Sequence, residues 1–249
     1  MNYPKIVFKP ISLEDNIELV KWAYYENNGS ISIHDYLLNY FPKLKIINDS
    51  YSKEKTDLFI EETVKEDYYL YHERIISETE HYNNIWKKYN DSYLKALSKY
   101  LNISFSDNIE IIYAYVGLTP TYPRDLDTSS FTIGTGLNEN DIVRITAHEL
   151  CHFLWFIKWK ELYPNTTREE FDSPYLPWKY SEMVVDPILN SKEIYEILKV
   201  HEKAYDSFYE VKDINGVSMM NSLIDIYNSN EPIEKKIKLG YEYISTVLK

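Results

Sequence analysis

Two histidines and a glutamate, at positions 148, 149 and 152, form the arrangement in this chain with the clearest chemical potential. They make the pattern H-E-x-x-H, and the run of residues 142–155 around them contains neither proline nor glycine. On an α-helix, residues four apart lie on one face, one turn above the other. His148 and His152 can therefore bind one zinc ion, while Glu149 can act as a base on a zinc-bound water. The pattern predicts a zinc site on a helix.

A catalytic zinc site needs a third protein ligand and an open fourth position for water. Glu182 and Asp186 are four residues apart in an otherwise apolar stretch, so a helix would place them on one face. Two carboxylates in such surroundings are costly to bury without partners. We therefore expect Glu182 to bind the zinc ion and Asp186 to accept an imidazole N–H. The alternative is that Glu182 caps the helix and Asp186, which precedes Pro187, is a turn residue.

The pairing of H-E-x-x-H with a later E-x-x-x-D resembles the gluzincin metallopeptidases, of which thermolysin is the familiar member. The resemblance covers roughly residues 130–190. It implies that His148, His152 and Glu182 bind the zinc ion and that Glu149 is the general base. It also implies that the Asp186 carboxylate holds His148 from outside the set of zinc ligands. It also implies that Ser130–Gly134 is an edge strand along which an extended peptide adds by backbone pairing.

Gluzincins usually supply a downstream histidine or tyrosine that stabilises the oxyanion. His201 and Tyr205 follow Glu182 at suitable distances and are the candidates for this catalytic role, although ordinary packing would also account for both. The metzincin alternative requires a glycine and a third histidine after the motif. Positions 155 and 158 are Trp155 and Lys158, which excludes it.

The composition limits the classes of partner. The 249 residues carry a formal net charge of −12, from 39 acidic and 27 basic side chains. Nucleic acids and anionic membranes require basic patches, so neither is expected as a partner. The resemblance to gluzincins implies a peptide or protein substrate. No signal peptide or transmembrane segment is seen, which favours a cytoplasmic location. The single cysteine, Cys151, excludes an intrachain disulfide and, lying about 100° round the helix from His152, is expected to be a small buried hydrophobe.

The local patterns predict an α+β fold that is mainly helical, with a small mixed sheet whose edge strand precedes the active-site helix, and the resemblance to gluzincins implies that this fold is zincin-like. Residues 1–105 form a mainly helical N-terminal region and residues 106–249 the zincin-like catalytic region, together one compact unit with a cleft. Short strands are expected at 5–9, 109–116 and 130–134. Residues 52–101 are expected to form one very long helix or two helices packed as a hairpin, with residues 77–84 as the place of the bend. The motif helix is capped by Asn138 or Asn140, and further helices are expected at residues 12–26, 31–40, 181–190, 192–205, 218–227 and 231–248.

These patterns together predict a zinc-dependent peptidase. Zinc would activate a water molecule, and Glu149 would be the general base that removes its proton. The alternative is a protein with the zincin fold that binds a metal ion or a peptide without turnover.

Overall fold

The computed structural model describes residues 3–26, 33–103, 109–119 and 121–248. Helices dominate this part of the chain, and its strands form one small mixed sheet, so the predicted α+β class is confirmed. In chain order the elements are β1 (Lys5–Pro10), α1 (Leu13–Tyr25), α2 (Ile33–Tyr40), α3 (Lys53–Trp86), α4 (Asn90–Leu101), β2 (Ile111–Gly117), β3 (Arg124–Asp125), β4 (Ser130–Gly134), α5 (Glu139–Leu162), α6 (Leu176–Leu189), α7 (Lys192–Leu198), α8 (Asp206–Glu210), α9 (Met219–Asn228) and α10 (Ile233–Val247).

The sheet has the strand order β1-β2-β4-β3. β1, β2 and β4 are parallel, with Ile6 opposite Ile112 and Ala114 opposite Phe131, while β3 runs antiparallel to β4. These four apolar side chains are buried. Buried, β-branched and aromatic residues of this kind are typical of parallel strands that are covered by other elements.

The position of β4 differs from the sequence prediction. It lies between β2 and β3 and is therefore not an edge strand. On the β3 side, Phe131 is opposite Arg124, and the backbone N–H of Thr132 donates to the carbonyl of Pro123 at 3.1 Å. A peptide could pair with β4 there only if β3 left, so the expected substrate edge at Ser130–Gly134 was wrong. The strand β3 is two residues long, too short to show an alternation in the sequence.

The long helix α3 also differs from its prediction. It continues through the polar residues 77–84 without a bend and ends at Trp86, and α4 begins at Asn90. Ser52 caps its N-terminus by accepting a hydrogen bond from the backbone N–H of Lys55. No helix in the described ranges is both long enough and apolar enough to cross a membrane.

The chain forms two compact units, each built from separate segments. Unit 1 comprises residues 1–3, 89–108 and 143–249, and unit 2 comprises residues 4–88 and 109–142. The predicted division into residues 1–105 and 106–249 stays a prediction.

Unit 2 contains the sheet and the helices α1, α2 and α3. Its apolar side chains include Val20, Leu37 and Ile60, which are fully buried in one cluster. The free edge of β1 is closed by a side chain of α3. The Asn83 amide accepts a hydrogen bond from the Phe8 N–H at 3.0 Å and donates one to the Phe8 carbonyl at 3.0 Å. An otherwise unpaired strand edge is thereby satisfied.

In the C-terminal part of unit 1, two helix boundaries differ from the sequence prediction. Helix α6 begins at Leu176, five residues earlier than expected, and α7 ends at Leu198 instead of near Tyr205. Lys199 ends α7 with a positive φ of 54°, and its backbone N–H bonds to the carbonyl of Tyr195. The chain after Lys199 is therefore a loop, which returns toward α6 before α8 begins.

Candidate metal centre

The motif lies on α5, as expected. Asn138 caps this helix, because its side-chain oxygen accepts a hydrogen bond from the Asp141 N–H at 3.0 Å. No proline or glycine interrupts the following 24 residues. Arg144, His148 and His152 are spaced by four and share one face of the helix.

The aromatic side chains of α5 are buried in unit 1. Trp155 and Trp159 stack with ring centroids 5.0 Å apart, and Tyr180 of α6 meets Trp155 edge-on at 5.4 Å. The Tyr180 hydroxyl bonds to the Tyr227 hydroxyl at 2.9 Å and donates to the Ile237 carbonyl at 3.0 Å. These contacts hold α6 against α5, α9 and α10, and they fix the helix that carries Glu182.

The far end of α5 is held by a buried lysine. The Lys158 ammonium donates to the Asn102 carbonyl at 2.8 Å, and it pairs with Glu161 at 2.7 Å and Glu234 at 3.2 Å. An ammonium group has three donors, and these three partners satisfy all of them. Lys158 therefore links α5 to the end of α4 and the start of α10.

The structure brings the three predicted zinc ligands together. The Nε2 atoms of His148 and His152 are 3.0 Å apart. The Glu182 carboxylate faces both rings, with Oε2 3.5 Å from His148 Nε2 and Oε1 3.4 Å from His152 Nε2. Their ligand atoms all lie within 4.8 Å of one another, and among the described residues this is the group of at least three such side chains that could hold a metal ion.

Burial makes this cluster unusual. The side chain of His152 is fully buried and that of Glu182 is 3% exposed, whereas that of His148 is 19% exposed. Glu149 is also buried. Charged groups are costly to bury unless they are paired or coordinate a metal, so the arrangement requires a positive charge among the carboxylates.

The electrostatics of His148 show how strongly the site favours a cation. Burial opposes protonation, but contacts with Glu182 and Glu202, and the negative charges of Glu202 and Glu149, outweigh it and raise the pKa of His148 to about 10. Without a metal ion, a proton on His148 supplies the positive charge that the carboxylates require. A divalent cation would replace that proton.

Asp186 makes different contacts from those expected. Its carboxylate accepts hydrogen bonds from the Asn190 amide at 3.0 Å, from the Ala204 N–H at 3.0 Å and from the Tyr209 hydroxyl. It thus binds the loop after α7, and no contact with His148 is among these hydrogen bonds. Asp186 lies on α6 with Glu182, and its carboxylate has Asn190, Ala204 and Tyr209 as partners.

The carboxylate beside His148 is instead Glu202, which the sequence reasoning missed. Its side chain is 4% exposed, and its Oε1 lies 3.6 Å from His148 Nδ1. Residues 192–205 contain neither glycine nor proline, so the sequence carried no signal that α7 ends at Leu198 and that Glu202 turns inward. Lys199 adopts the left-handed conformation that is usually marked by glycine or asparagine.

The two candidates for oxyanion stabilisation lie on the same loop. His201 is exposed, stacks on Tyr195 at 4.5 Å and contacts the Asn190 side chain at 3.2 Å. Tyr205 is 41% exposed, precedes α8 and packs against Phe208, with the two rings tilted by 60°. These contacts do not bring either side chain to the histidine pair. Both assignments stay predictions.

The ligand chemistry fits zinc. Two imidazole nitrogens and one carboxylate are ligands that zinc accepts, and three protein ligands are the number typical of catalytic sites. A structural zinc site normally has four protein ligands. Among the described residues, a set of three converges here, which leaves a position for water or substrate.

No protein-family model matches this chain, and comparisons with curated proteins and with solved structures give no significant match. The likeness to gluzincins thus depends on the two motifs alone.

Proposed function

We propose that this protein is a zinc-dependent peptidase of zincin-like architecture. The observation that carries the proposal is the convergence of His148, His152 and Glu182 in a buried cluster beside Glu149. The cluster has the ligand set of catalytic zinc sites with two histidines and one glutamate, and it leaves a coordination position open.

The residues take distinct roles in this mechanism. His148, His152 and Glu182 would hold the metal ion, and a bound zinc ion would supply Lewis-acid polarisation of the scissile carbonyl and a lower pKa of water, near 7. Glu149 accepts the proton of the attacking water and then delivers it to the leaving amine.

The choice of a peptide as substrate follows from the paired motifs H-E-x-x-H and E-x-x-x-D, which resemble those of gluzincins. The sheet gives no support for a peptide substrate, because β3 and Pro123 occupy the side of β4 where an extended peptide would pair. The net charge of −12 agrees with a peptide better than with an anionic polymer.

The test combines metal analysis with a peptide library. The purified protein should retain about one zinc ion per chain, as expected for a mononuclear site. The variant Glu149→Gln should keep that zinc and lose roughly 10²–10⁴-fold in the rate of peptide hydrolysis, the usual contribution of a general base. Glu210→Gln is the matched control, because Glu210 is exposed at the end of α8, and it should hydrolyse at the normal rate.

Each other outcome has a defined meaning. Bound zinc without hydrolysis of any peptide would favour the alternative, a non-catalytic metal-binding protein. Unchanged hydrolysis in Glu149→Gln would remove Glu149 from the mechanism. A chain without zinc, or one that selects iron, would overturn the proposal, since two histidines and one carboxylate also suit non-haem iron.

A further inference from the structure

The loop that follows α7 places a buried carboxylate on the outer side of His148. Glu202 Oε1 is 3.6 Å from Nδ1 of that ring, while the opposite nitrogen, Nε2, faces His152 and Glu182. The other oxygen, Oε2, is 3.5 Å from Nη1 of Arg144, which lies one turn before His148 on α5. The ring thus has a metal-facing nitrogen and a carboxylate-facing nitrogen.

The backbone of Glu202 is clamped by the side chain of Asn190, the residue that caps the C-terminus of α6. The Asn190 amide donates to the Glu202 carbonyl at 2.7 Å and accepts from the Glu202 N–H at 3.2 Å. Two residues later, the Ala204 N–H donates to Asp186 at 3.0 Å. The loop therefore cannot shift near Glu202 without breaking several hydrogen bonds.

Side chains along one face of α6 and at its C-cap contact both the histidine pair and the loop of Glu202. Glu182, Asp186 and Asn190 are spaced by four residues and follow one another along the same face. The first faces the two imidazoles, and the other two hold the loop that carries Glu202. Helix α6 and its C-cap thus place the ligand Glu182, and they also hold the loop that brings Glu202 beside the ligand His148.

An imidazole can bind a metal through one nitrogen only if the proton is on the other, and a hydrogen-bond acceptor on that side fixes the tautomer. We propose that Glu202 is the positioning residue of His148: it receives the Nδ1–H and keeps Nε2 available for the metal, while Asp186 and Asn190 hold Glu202 in place. The inference rests on the proposed function to the extent that this centre binds zinc.

The direct test is the zinc affinity of Glu202→Gln, measured by competition with a chelator of known affinity. This variant keeps the size of the side chain and removes its charge. Loss of an outer partner of a metal-bound histidine typically weakens metal binding about 10–100-fold, and we expect a decrease in that range. Glu210→Gln again serves as the control and should bind zinc as tightly as the unaltered chain.

A second readout separates positioning from general support of the fold. In the zinc-loaded protein, ¹⁵N-edited NMR should show a protected, hydrogen-bonded Nδ1–H on His148. In Glu202→Gln this proton should move upfield and exchange faster with water, while the other imidazole signals stay in place. A purely structural role of Glu202 would not shift this one resonance.

Asn190→Ala tests the clamp without changing His148 or Glu202, and it keeps the proposal testable if Glu202→Gln does not fold. We expect weaker zinc binding and the same change of the Nδ1–H signal. Unchanged affinity and an unchanged Nδ1–H in both variants would overturn the role of Glu202 while leaving the peptidase proposal intact. Absence of zinc binding by the unaltered chain would overturn both, and zinc binding without hydrolysis would overturn only the peptidase.

Discussion

The two units bury different kinds of polar side chain. In unit 2, the buried polar residues among those described are uncharged: Asn16, Thr56, Thr63, Thr79, Thr119, Thr121 and Ser130. In unit 1, the buried polar residues include the ionisable side chains of Glu149, His152, Lys158, Glu182, Asp186 and Glu202. Both units have apolar cores, so the difference does not reflect a general need for polar groups.

This difference between the units matters for stability, because burying an ionisable side chain costs more free energy than burying a hydroxyl group. A buried hydroxyl needs one hydrogen bond, whereas a buried charge needs a counter-charge or a metal ion as well. Buried ionisable groups gathered at one place are a recognised sign of a functional site. In unit 2, the Thr79 hydroxyl donates to the Ile75 carbonyl at 2.7 Å and the Asn16 side chain accepts from the Leu118 N–H at 3.2 Å. Unit 1 instead gathers the side chains of His148, His152 and Glu182 in one cluster that could hold a metal ion.

The largest effect is expected when a metal ligand of unit 1 is removed, and it tests whether the buried charges of that unit form a metal centre. His152→Ala should weaken zinc binding by more than about 100-fold, because even the loss of an outer partner costs about 10–100-fold. Thr63→Ala, which changes a buried polar residue of unit 2, is the control and should bind zinc normally. Chelator competition measures both. Tight zinc binding by His152→Ala would show that the buried charges of unit 1 do not form a metal centre.

A smaller effect is expected at the buried lysine of unit 1. Lys158→Ala should lower the free energy of unfolding by about 3 kcal/mol, since it removes the ammonium donor of the Asn102 carbonyl and the cation beside the Glu161 and Glu234 carboxylates. Urea unfolding gives this value. Lys158→Met, which keeps the apolar stem, should recover part of the stability. Equal stability of all three proteins would mean that this charge is buried without structural need.

The smallest effect compares two asparagines that make the same contact. Asn83 bonds to both backbone groups of Phe8 in unit 2, as Asn190 bonds to those of Glu202 in unit 1. Asn83→Ala should lower the free energy of unfolding by about 1–2 kcal/mol, because two backbone groups lose their partners. Its zinc affinity should stay unchanged, in contrast to Asn190→Ala. Equal zinc affinities in the two variants would remove the distinction between the two clamps.

Local patterns predicted the parts of the centre that depend on helix geometry alone. The spacing of His148 and His152 places both rings on one face of any helix, and the same holds for Glu182 and Asp186. An uninterrupted run of residues without glycine or proline was enough to predict α5. The convergence of α5 and α6 was expected because a catalytic zinc ion needs a third protein ligand and because two carboxylates are costly to bury without partners, and the resemblance to gluzincins implied the same.

The features that the sequence did not predict depend on contacts between residues that are far apart in the sequence. Glu202 reaches His148 because α7 ends at Lys199, a residue whose type does not indicate a helix end. The bend expected within residues 77–84 is absent, since polar side chains such as Asn83 face β1 and leave the helix intact. The edge expected at Ser130–Gly134 is covered by the two-residue strand β3, which has too few residues to form a pattern.

Cys151 provides a built-in reporter for the state of the chain. It is fully buried on α5, between the two histidines in sequence, and it is the single cysteine of the protein. A thiol reagent can modify it only when this part of the chain opens, because the reaction needs an accessible thiolate. Any cation that binds the closed form alone lowers the open fraction by mass action. The rate at which a thiol reagent labels Cys151 should therefore fall as the metal site fills. This rate can be measured on the unaltered protein without an added probe.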